Sequence, residues 1–170
     1  VQLDEKGLRV NPVGLLFLRN IAMPFDRYLR EIGSEVLDVV LLHFQTAADW
    51  PRRYRPAMEA LSRAKEAGKV RAVGVSCHSV GALKAAVDSQ WAEVVMARIN
   101  HRGVQMDAAP QRVVPVLNNL AKAGIAVVGM KVLGAGHLRQ DVAAQVDYVL
   151  GLGGVQAITI GMTERGQLSQ

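Results

Sequence analysis

The sequence lacks the features of a disulfide-bonded, membrane-spanning or low-complexity protein. Its 170 residues include one cysteine, Cys77, which excludes an intramolecular disulfide and favours a reducing compartment. Aromatic residues make up 5% of the chain, and no apolar run approaches the ~20 residues that cross a bilayer. No secretory signal peptide is recognisable, although the sequence starts at Val1 and leaves a signal upstream of it open. We therefore expect a cytoplasmic protein with no membrane contact.

The charge pattern argues against a nucleic-acid partner. The formal charge is +5 and the pI is about 9.7, but the basic residues are interspersed with acidic ones. The one dense cluster, Arg52 to Arg55, is typical of a solvated loop or a helix start. The histidines and the cysteine show no metal-ligand spacing, so we predict no metal site.

What the sequence does contain is a repeated alternation of apolar, β-branched runs with helical patterns. Continuous apolar runs are typical of strands that are buried on both faces, as in parallel sheets. The whole chain, residues 1–170, is therefore predicted to be a single α/β domain. Two architectures fit: a partial (β/α)8 TIM barrel of about five βα units without its N-terminal strands, or a doubly wound open sheet. The predicted strands begin near Val36, Val70, Ala92, Gly124 and Val155.

Capping residues predict where several helices begin and end. Ser79 and Asp141 are placed as N-caps of two helices. Pro115 is tolerable only if it lies in the first turn of its helix. One more helix is predicted to end at Gly33, and residues 1–23 show no clear pattern.

Polar and titratable side chains recur where the predicted strands end. In either architecture the carboxyl ends of parallel strands form the functional edge of the sheet. The recurrence of such residues at this edge, and not at the opposite one, predicts a site there. The residues are His43; Ser76, Cys77 and His78; Arg98, Asn100 and His101; Met130 and Lys131; and Thr159, Gly161 and Thr163.

Each candidate also has an ordinary structural explanation. His43 could be a hydrogen-bonded structural residue, or it could orient a carbonyl oxygen or shuttle a proton near pH 7. Cys77 is more typical of an inert buried thiol than of a nucleophile. The turn with Gly134 and Gly136 partly matches a dinucleotide fingerprint, but the third glycine is absent. A tight turn is the simpler explanation, and its amides beside Lys131 could hold a phosphate.

Four longer segments follow a pattern known from one family. "DRYLREIGSEVLDVVLLHF" matches a helix with an "LGxxYxD" turn that leads into a strand ending in histidine. "KVRAVGVSCHS" matches "GKIRxIGVSN", and "GIAVVGMKVLGAGHL" matches "GIxVxAYSPLGxGxL" in its "MKxLG" form. "AITIGMTERGQLSQ" matches a closing "IPGxxxxxQLxEN". In order and spacing, over roughly residues 26–170, the set resembles the aldo/keto reductase family.

The resemblance implies a (β/α)8 barrel that transfers a hydride from NADPH to an aldehyde or ketone, a small-molecule carbonyl substrate. It implies that His43 binds the substrate carbonyl, and that Ser76, with Cys77 beside it, contacts the nicotinamide carboxamide. The other cofactor-binding residues are then Met130 at the nicotinamide ring; Lys131, Leu133, Gly134 and Gly136 at the pyrophosphate; and Gly161 to Gln167 at the adenosine phosphate.

Departures from the family pattern leave the choice between NADP and NAD open. Cys77 replaces an asparagine, Ala97 a carboxamide-binding glutamine and Met130 a stacking tyrosine. Gly161 and Met162 replace the lysine and serine that often bind the 2′-phosphate. We expect NADP, with NAD as the alternative.

No segment resembles the strands that carry the family's general-acid tyrosine, lysine and aspartate. Tyr28, Tyr54 and Tyr148 fall on predicted helices, so none of them replaces the acid. General acid catalysis is typically worth about 10²–10⁴-fold, so we expect this chain alone to be almost inactive. The alternative is a non-catalytic nicotinamide-cofactor-binding or scaffold protein on the same fold. Open edges at the first and last strands also predict self-association.

Overall fold

The computed structural model describes residues 2–4, 7–9 and 33–169. Two short strands, β1 (Gln2–Asp4) and β2 (Gly7–Arg9), form an antiparallel pair. The other elements in chain order are β3 (Leu37–Gln45), α1 (Trp50–Arg53), α2 (Arg55–Glu66), β4 (Val70–Cys77), α3 (Val80–Ser89), β5 (Val94–Arg98), α4 (Pro110–Lys122), β6 (Ala126–Met130), a 3-10 turn (Gly134–Gly136), α5 (Val142–Leu150), β7 (Ala157–Ile158) and a 3-10 turn (Arg165–Ser169).

The five strands from β3 to β7 form one parallel sheet in which spatial order follows sequence order. A doubly wound sheet reverses its strand order at a switch point, and this sheet has no reversal. Right-handed crossovers between sequential neighbours place the connecting helices on the same face. The doubly wound alternative is therefore wrong, and the predicted succession of βα units is confirmed.

One face of the sheet packs against the helices and forms the core. Val75, Val95 and Val127 pair across β4, β5 and β6, and each is 0% exposed. The helices contribute residues at helical spacing because only one stripe of each faces the sheet. These helix residues include Leu61, Leu83, Val113, Leu117, Leu120 and Val149.

The opposite face of the sheet is less covered among the described residues. Met96 and Val128, paired across β5 and β6, are only partly buried, and Val39 on β3 is 46% exposed. This face also brings strand backbones close together. A Cβ on Gly74 would lie 1.9 Å from the carbonyl oxygen of Val94, so β4 and β5 can pair here only with glycine at that position.

The helix ends confirm two predicted caps and correct one prediction. The Ser79 side chain accepts a hydrogen bond from the amide of Ala82 at 3.0 Å, and Asp141 caps α5 in the same way. Pro115 does not lie in the first turn, since α4 begins five residues earlier. Pro115 is exposed, so water can reach the carbonyl group that its missing N–H leaves without a partner.

The helix predicted to end at Gly33 lies outside the described residues, as does Tyr28. Residues 1–23 are described only where they form β1 and β2. Within the described ranges, no helix has both the length and the apolar character needed to cross a membrane. The five-stranded sheet and the helices packed on it determine where the carboxyl ends of the strands lie.

Candidate functional site

The end of β3 carries a β-bulge that turns two aromatic side chains towards the same place. The pairing of β3 with β4 shifts register between Leu42 and Gln45. Phe44, within the bulge, has a φ of +62°, which is strained for a bulky side chain. Its ring lies 4.2 Å from the ring of His78, and the ring of His43 lies 5.9 Å from it. His43 is exposed at this edge, which leaves its ring accessible to a ligand.

The end of β4 separates two residues that were predicted to act together. Ser76 pairs with Met96 on the less covered face, whereas Cys77 pairs with Ala97 on the helix-facing side. Cys77 is 1% exposed within the core, and burial raises the pKa of its thiol to about 12. The prediction that Cys77 binds the cofactor is therefore not supported by its position, because successive strand residues point to opposite faces.

His78 connects Ser76 to Arg98 through both of its ring nitrogens. Ser76 Oγ lies 2.9 Å from Nε2 of His78, and an Nη of Arg98 lies 2.7 Å from Nδ1. The other Nη of Arg98 donates to the carbonyl oxygen of Gln105 at 3.0 Å. The Nε of Arg98 is buried, and within residues 33–169 it has no hydrogen-bond partner. Three polar side chains from β4 and β5 are thus held in one connected arrangement.

The surroundings of His78 favour its neutral form. Burial, followed by the positive charges of Arg98, His43 and Lys131, lowers the pKa of His78 from 6.5 to about 4. His78 is buried, with 8% of its surface exposed, so the desolvation cost of a charged ring is expected. The imidazole of His78 is therefore uncharged at neutral pH.

The register at β5 corrects the comparison made for Ala97. Ala97 was expected at the position of a carboxamide-binding glutamine, but it is 0% exposed on the helix-facing side. Met96, which the sequence did not single out, lies beside Ser76 instead. Met130 pairs with Arg98 and is 6% exposed, so this thioether lies at the end of β6 on the site-facing side.

The turn after β6 is closed by its own hydrogen bonds. Four of its amides, at Gly134, Gly136, His137 and Leu138, donate to carbonyl oxygens of Lys131, Leu133 and Gly134. Gly134 is packed, since a Cβ there would lie 2.9 Å from Val104, whereas Gly136, at φ +92°, has open space around it. These amides cannot also bind a phosphate without breaking the turn. The exposed side chain of Lys131 can contact an anion at this turn.

Asn100 joins that turn to the loop after β5. It is 0% exposed, and its Nδ2 donates to the carbonyl oxygens of Val104 at 2.8 Å and Lys131 at 3.1 Å. His101, although also at the end of β5, faces elsewhere: its Nδ1 lies 2.6 Å from Oε1 of Gln145 on α5. Asn100 is therefore structural, and His101 lies outside the Ser76–His78–Arg98 cluster.

The segment after β7 is shaped by Gln167. Its Oε1 accepts hydrogen bonds from the amides of Thr163 at 2.9 Å and Glu164 at 3.4 Å. Gly161 is exposed, and a Cβ added there would meet no described atom within 4 Å, so a ligand can approach its backbone. Arg165 in the same segment is exposed and provides a positive charge there.

A cavity lies away from this edge. It has a volume of about 370 Å³ and is lined by Ser62, Lys65, Glu66, Val73, Trp91 and Glu93. Lys65 forms an ion pair with Glu93, whose other carboxylate oxygen accepts from the amide of Val73 at 3.1 Å. Lys65 and Glu93 therefore have structural roles in this cavity. Neither residue belongs to the site at the carboxyl ends of the strands.

Several residues of the site were not predicted from the sequence. Arg98 and His78 were expected at strand ends but not in contact with each other, and Phe44 and Met96 were overlooked. The alternation of β-strand side chains offered a signal for Met96, since it lies two residues before Arg98 on the same face. No sequence signal marks Phe44, because a positive φ is typical of glycine or asparagine, not phenylalanine.

The donors present fit the nicotinamide end of a dinucleotide better than its phosphates. A nicotinamide needs a hydrogen-bonding group for its carboxamide and an apolar surface for its ring, and Ser76 with Met96 and Met130 offers both. The ring of His43 and the hydroxyl of Ser76 both lie at His78, and Lys131 follows Met130, which pairs with Arg98. For the phosphates, the chain offers the exposed side chains of Lys131 and Arg165.

Comparison with known sequences gives one clear match. Residues 17–149 match the sequence profile of the Aldo/keto reductase family. This range includes β3 to β6 and the whole Ser76–His78–Arg98 cluster. No curated protein sequence is significantly similar to the chain.

Solved structures with the same fold are aldo-keto reductases. A protein of Pseudomonas aeruginosa assigned to this group has a TM-score of 0.68 at 21% identity, covering 85% of this chain and 52% of that one. AKR11C1 from Bacillus halodurans, in its holo form, has 0.66 at 17% identity, with 85% and 57% covered. The enzyme of Klebsiella pneumoniae in complex with NADP and acetate has 0.57 at 21% identity, with 81% and 53% covered.

These identities demonstrate similarity of fold alone. The chain spans about half the length of the solved relatives it matches. Its βα units therefore correspond to part of a (β/α)8 barrel, which confirms the predicted architecture. In a barrel the helices lie outside, so the less covered face of the sheet, with Ser76 and Arg98, is the face that lines the barrel interior.

Proposed function

The chain belongs to the aldo/keto reductase family, and from that premise we propose that it contributes to an oxidoreductase for a nicotinamide dinucleotide and a small-molecule carbonyl. The support is the set of strand-end residues on the barrel-interior face. A bound nicotinamide would supply the hydride. The residues of this chain hold and orient the two reactants.

At the nicotinamide end we assign three roles. His43, exposed at the end of β3, binds the carbonyl oxygen of the substrate. Ser76 contacts the carboxamide, and Met130 lies against the ring, where a polarisable thioether packs well. His43 can donate one hydrogen bond in its neutral form and thereby polarise the carbonyl.

At the phosphate end the assignment rests on fewer contacts. Lys131, with Leu133, Gly134 and Gly136 shaping the turn, lies beside the pyrophosphate. The segment from Gly161 to Gln167 binds the adenosine phosphate, and Gln167 holds its shape. The cofactor we propose is NADP, supported by Arg165 in this segment, and NAD is the alternative. NADP binding is also stated for the Klebsiella pneumoniae relative.

Proton transfer is the step for which the described residues offer no strand-end tyrosine. Tyr148 lies on α5, and Tyr54 lies between α1 and α2. A carbonyl that accepts a hydride must also gain a proton, and a positioned general acid is typically worth about 10²–10⁴-fold. Since the chain spans about half the length of its solved relatives, we propose that it alone turns over substrate very slowly.

The observation that carries the proposal is the meeting of His43 and Ser76 at His78 at one edge of the sheet, with Lys131 directly after Met130, which pairs with Arg98. The test is a titration of NADPH into the chain, followed by cofactor fluorescence. We expect saturable binding that NADP⁺ competes away, and the Ser76→Ala variant should bind about 3- to 10-fold more weakly.

The matched control for that titration is Ser89→Ala, which removes a serine hydroxyl at the end of α3, far from the strand ends. It should bind NADPH like the unmodified chain. Absence of saturable binding, or equal loss in both variants, would contradict the proposal. Turnover of an aldehyde and ketone panel then measures how much activity the chain retains.

A second function is favoured by one specific observation. Met96 lies beside Ser76, Met130 lies at the end of β6 on the same face, and Cys77 is turned away from that face. A non-catalytic nicotinamide-cofactor-binding or scaffold protein would tolerate such a site, since it needs affinity but no turnover. Tight NADPH binding without turnover of any aldehyde or ketone in the panel, also in a longer chain that extends beyond Val1, would support this alternative.

We also propose that residues 1–170 form a single domain in the cytoplasm and that the chain self-associates. β3 and β7 lie at the two edges of the sheet, and unpaired strand edges pair readily with other chains. Light scattering should therefore detect dimers or larger species. A monomer at micromolar concentration would contradict this part of the proposal.

A further inference from the structure

His78 differs from the residues assigned above because its ring faces Ser76 and Arg98 rather than the solvent. Ser76 is the last but one residue of β4 and His78 follows the strand, and the contact of 2.9 Å between Ser76 Oγ and Nε2 of His78 shows that their side chains lie together. Arg98 lies on the same face of β5, where β6 pairs with it through Met130. The three side chains form a line that ends at Ser76, on the barrel-interior side.

The hydrogen-bonding capacity of these groups fixes the direction of each bond. A guanidinium only donates, so Nδ1 of His78 must accept from Arg98. A neutral imidazole has a single ring proton, which is then on Nε2. That proton is donated to Ser76 Oγ at 2.9 Å. The tautomer of His78 thus follows from the chemistry of its partner.

The consequence falls on Ser76. Its oxygen accepts from His78, so its single hydroxyl proton is directed to another acceptor. A carboxamide offers both an acceptor, its carbonyl oxygen, and donors on its nitrogen. Only the carbonyl oxygen matches a serine that donates. Because the hydroxyl proton is not used by His78, it is available to the carboxamide oxygen, and such a bond would set the rotation of the carboxamide.

We infer that His78, held by Arg98, is a positioning residue that orients Ser76 as a hydrogen-bond donor to the carboxamide oxygen of the nicotinamide. The inference rests on the proposed function, because it requires a nicotinamide at this edge. It adds a residue that contacts neither the substrate nor the cofactor. Burial and the neighbouring positive charges lower the pKa of His78 and keep its ring neutral at pH 7, and the bond from Arg98 sets the tautomer of that neutral ring.

The first test measures the tautomer without any cofactor. In ¹⁵N–¹H spectra of the histidine rings at pH 7, we expect His78 to carry its proton on Nε2. The Arg98→Met variant removes the donor to Nδ1, so it should show a mixture of the two tautomers. A proton on Nδ1 of His78 in the unmodified protein would overturn the inference.

The second test separates positioning from a structural role. His78→Phe keeps the ring but removes both nitrogens, and we expect it to bind NADPH about 3- to 10-fold more weakly. Binding of 2′-phospho-ADP-ribose, a cofactor fragment without nicotinamide, should be unchanged. Equal weakening of both ligands would assign His78 a structural role and overturn the inference. His101→Phe, at a histidine outside the cluster, is the matched control and should affect neither ligand.

Two further measurements address Ser76 itself. If His78 acts through Ser76, the double variant Ser76→Ala with His78→Phe should bind NADPH no more weakly than either single variant. The 3-acetylpyridine analogue of the cofactor keeps the carbonyl oxygen and lacks the amide nitrogen. It should show the same sensitivity to His78→Phe as NADPH, and insensitivity would overturn the assigned direction of the Ser76 bond.

The outcomes distinguish the inference from the proposed function. If the His78→Phe variant binds NADPH as tightly as the unmodified protein does, the inference is overturned and the proposed function stands. If the unmodified protein does not bind NADPH, the inference and the proposed function are both overturned. The tautomer measurement then shows only that Arg98, His78 and Ser76 are connected by hydrogen bonds.

Discussion

The two faces of the five-stranded sheet differ in how they are stabilised. On the helix-facing side Val75, Val95 and Val127 form a row that is completely buried. On the barrel-interior side the neighbouring row is Ser76, Met96 and Val128, of which only Ser76 is fully buried. The first face is packed by this chain itself, whereas the second carries the polar cluster. The packed core and the candidate site thus lie on opposite faces of the sheet.

The largest effect should come from the helix-facing core. Leu117 is 0% exposed on α4, so Leu117→Ala leaves a cavity and should lower the free energy of unfolding by about 2–5 kcal/mol. The comparison variant is Val128→Ala on the barrel-interior side, where partial burial limits the loss to about 1 kcal/mol. Urea unfolding followed by circular dichroism measures both. Equal losses would contradict the division between the faces.

The second effect concerns pH and the polar cluster. The pKa of His78 is about 4 in the folded chain against an ordinary 6.5, so between these values the unfolded chain binds more protons. The free energy of unfolding therefore carries no penalty from His78 above about pH 6.5, where the ring is neutral in both states. It decreases as the pH falls from 6.5 towards 4, because the unfolded chain takes up the proton first. We expect a loss of about 1–2 kcal/mol after allowance for solvent screening.

His78→Phe provides the reference for this pH effect. Other titrating groups are common to both proteins, so the difference in unfolding free energy between them isolates His78. That difference should change between pH 7 and pH 4.5 in urea titrations. A difference that is independent of pH would show that the ring is not held neutral by its surroundings.

The third effect tests the bulge at the end of β3. Phe44 has a φ of +62°, and a side chain in the left-handed region costs roughly 1–2 kcal/mol. Phe44→Gly removes that cost but also the ring contact with His78, so the net gain in unfolding free energy should be about 1 kcal/mol or less. Phe44→Ala, which keeps the strain and loses the contact, should destabilise the chain. Urea unfolding measures both variants, and a large loss in the glycine variant would contradict the strain.

The smallest effect is expected at the amino ends of the strands. Lys65 and Glu93 form an exposed ion pair, and the hydrogen bond from Lys65 lowers the pKa of Glu93. This contribution is present above the ordinary carboxyl pKa and is lost as the pH falls through the lowered one. Glu93→Gln should cost only about 0.5 kcal/mol, and 1 M salt should reduce the difference. A loss above about 2 kcal/mol would mean that the pair is more than a surface contact.

Much of the fold was predictable because strand and helix patterns depend on local sequence. The runs from Val36 to Val155 became five parallel strands in the predicted order, and Ser79 and Asp141 cap their helices. Pro115 was placed wrongly because an exposed proline can be tolerated deeper in a helix than a buried one. Apolar periodicity does not report whether a carbonyl group can reach water.

The site was predictable only at the level of its edge. Strand ends identified Ser76, His78 and Arg98 as candidates, but no spacing in the sequence shows that Arg98 reaches Nδ1 of His78. Cys77 was grouped with Ser76 because it occupies the position of an asparagine in the family pattern, yet the two side chains point to opposite faces of β4. The register between β4 and β5 decides which side chains meet, and register depends on the neighbouring strand.

The sequence by itself determined the succession of strands and helices, the parallel arrangement and the edge at which polar residues gather, because these follow from hydrophobic periodicity and chain direction. Only the tertiary structure decided the partners of His78, the bulge at Phe44 and the closure of the turn after Lys131 by its own amides. Hydrogen bonds form between atoms a few ångströms apart in space. That separation is set by strand register and packing, and both depend on more than one segment of the sequence.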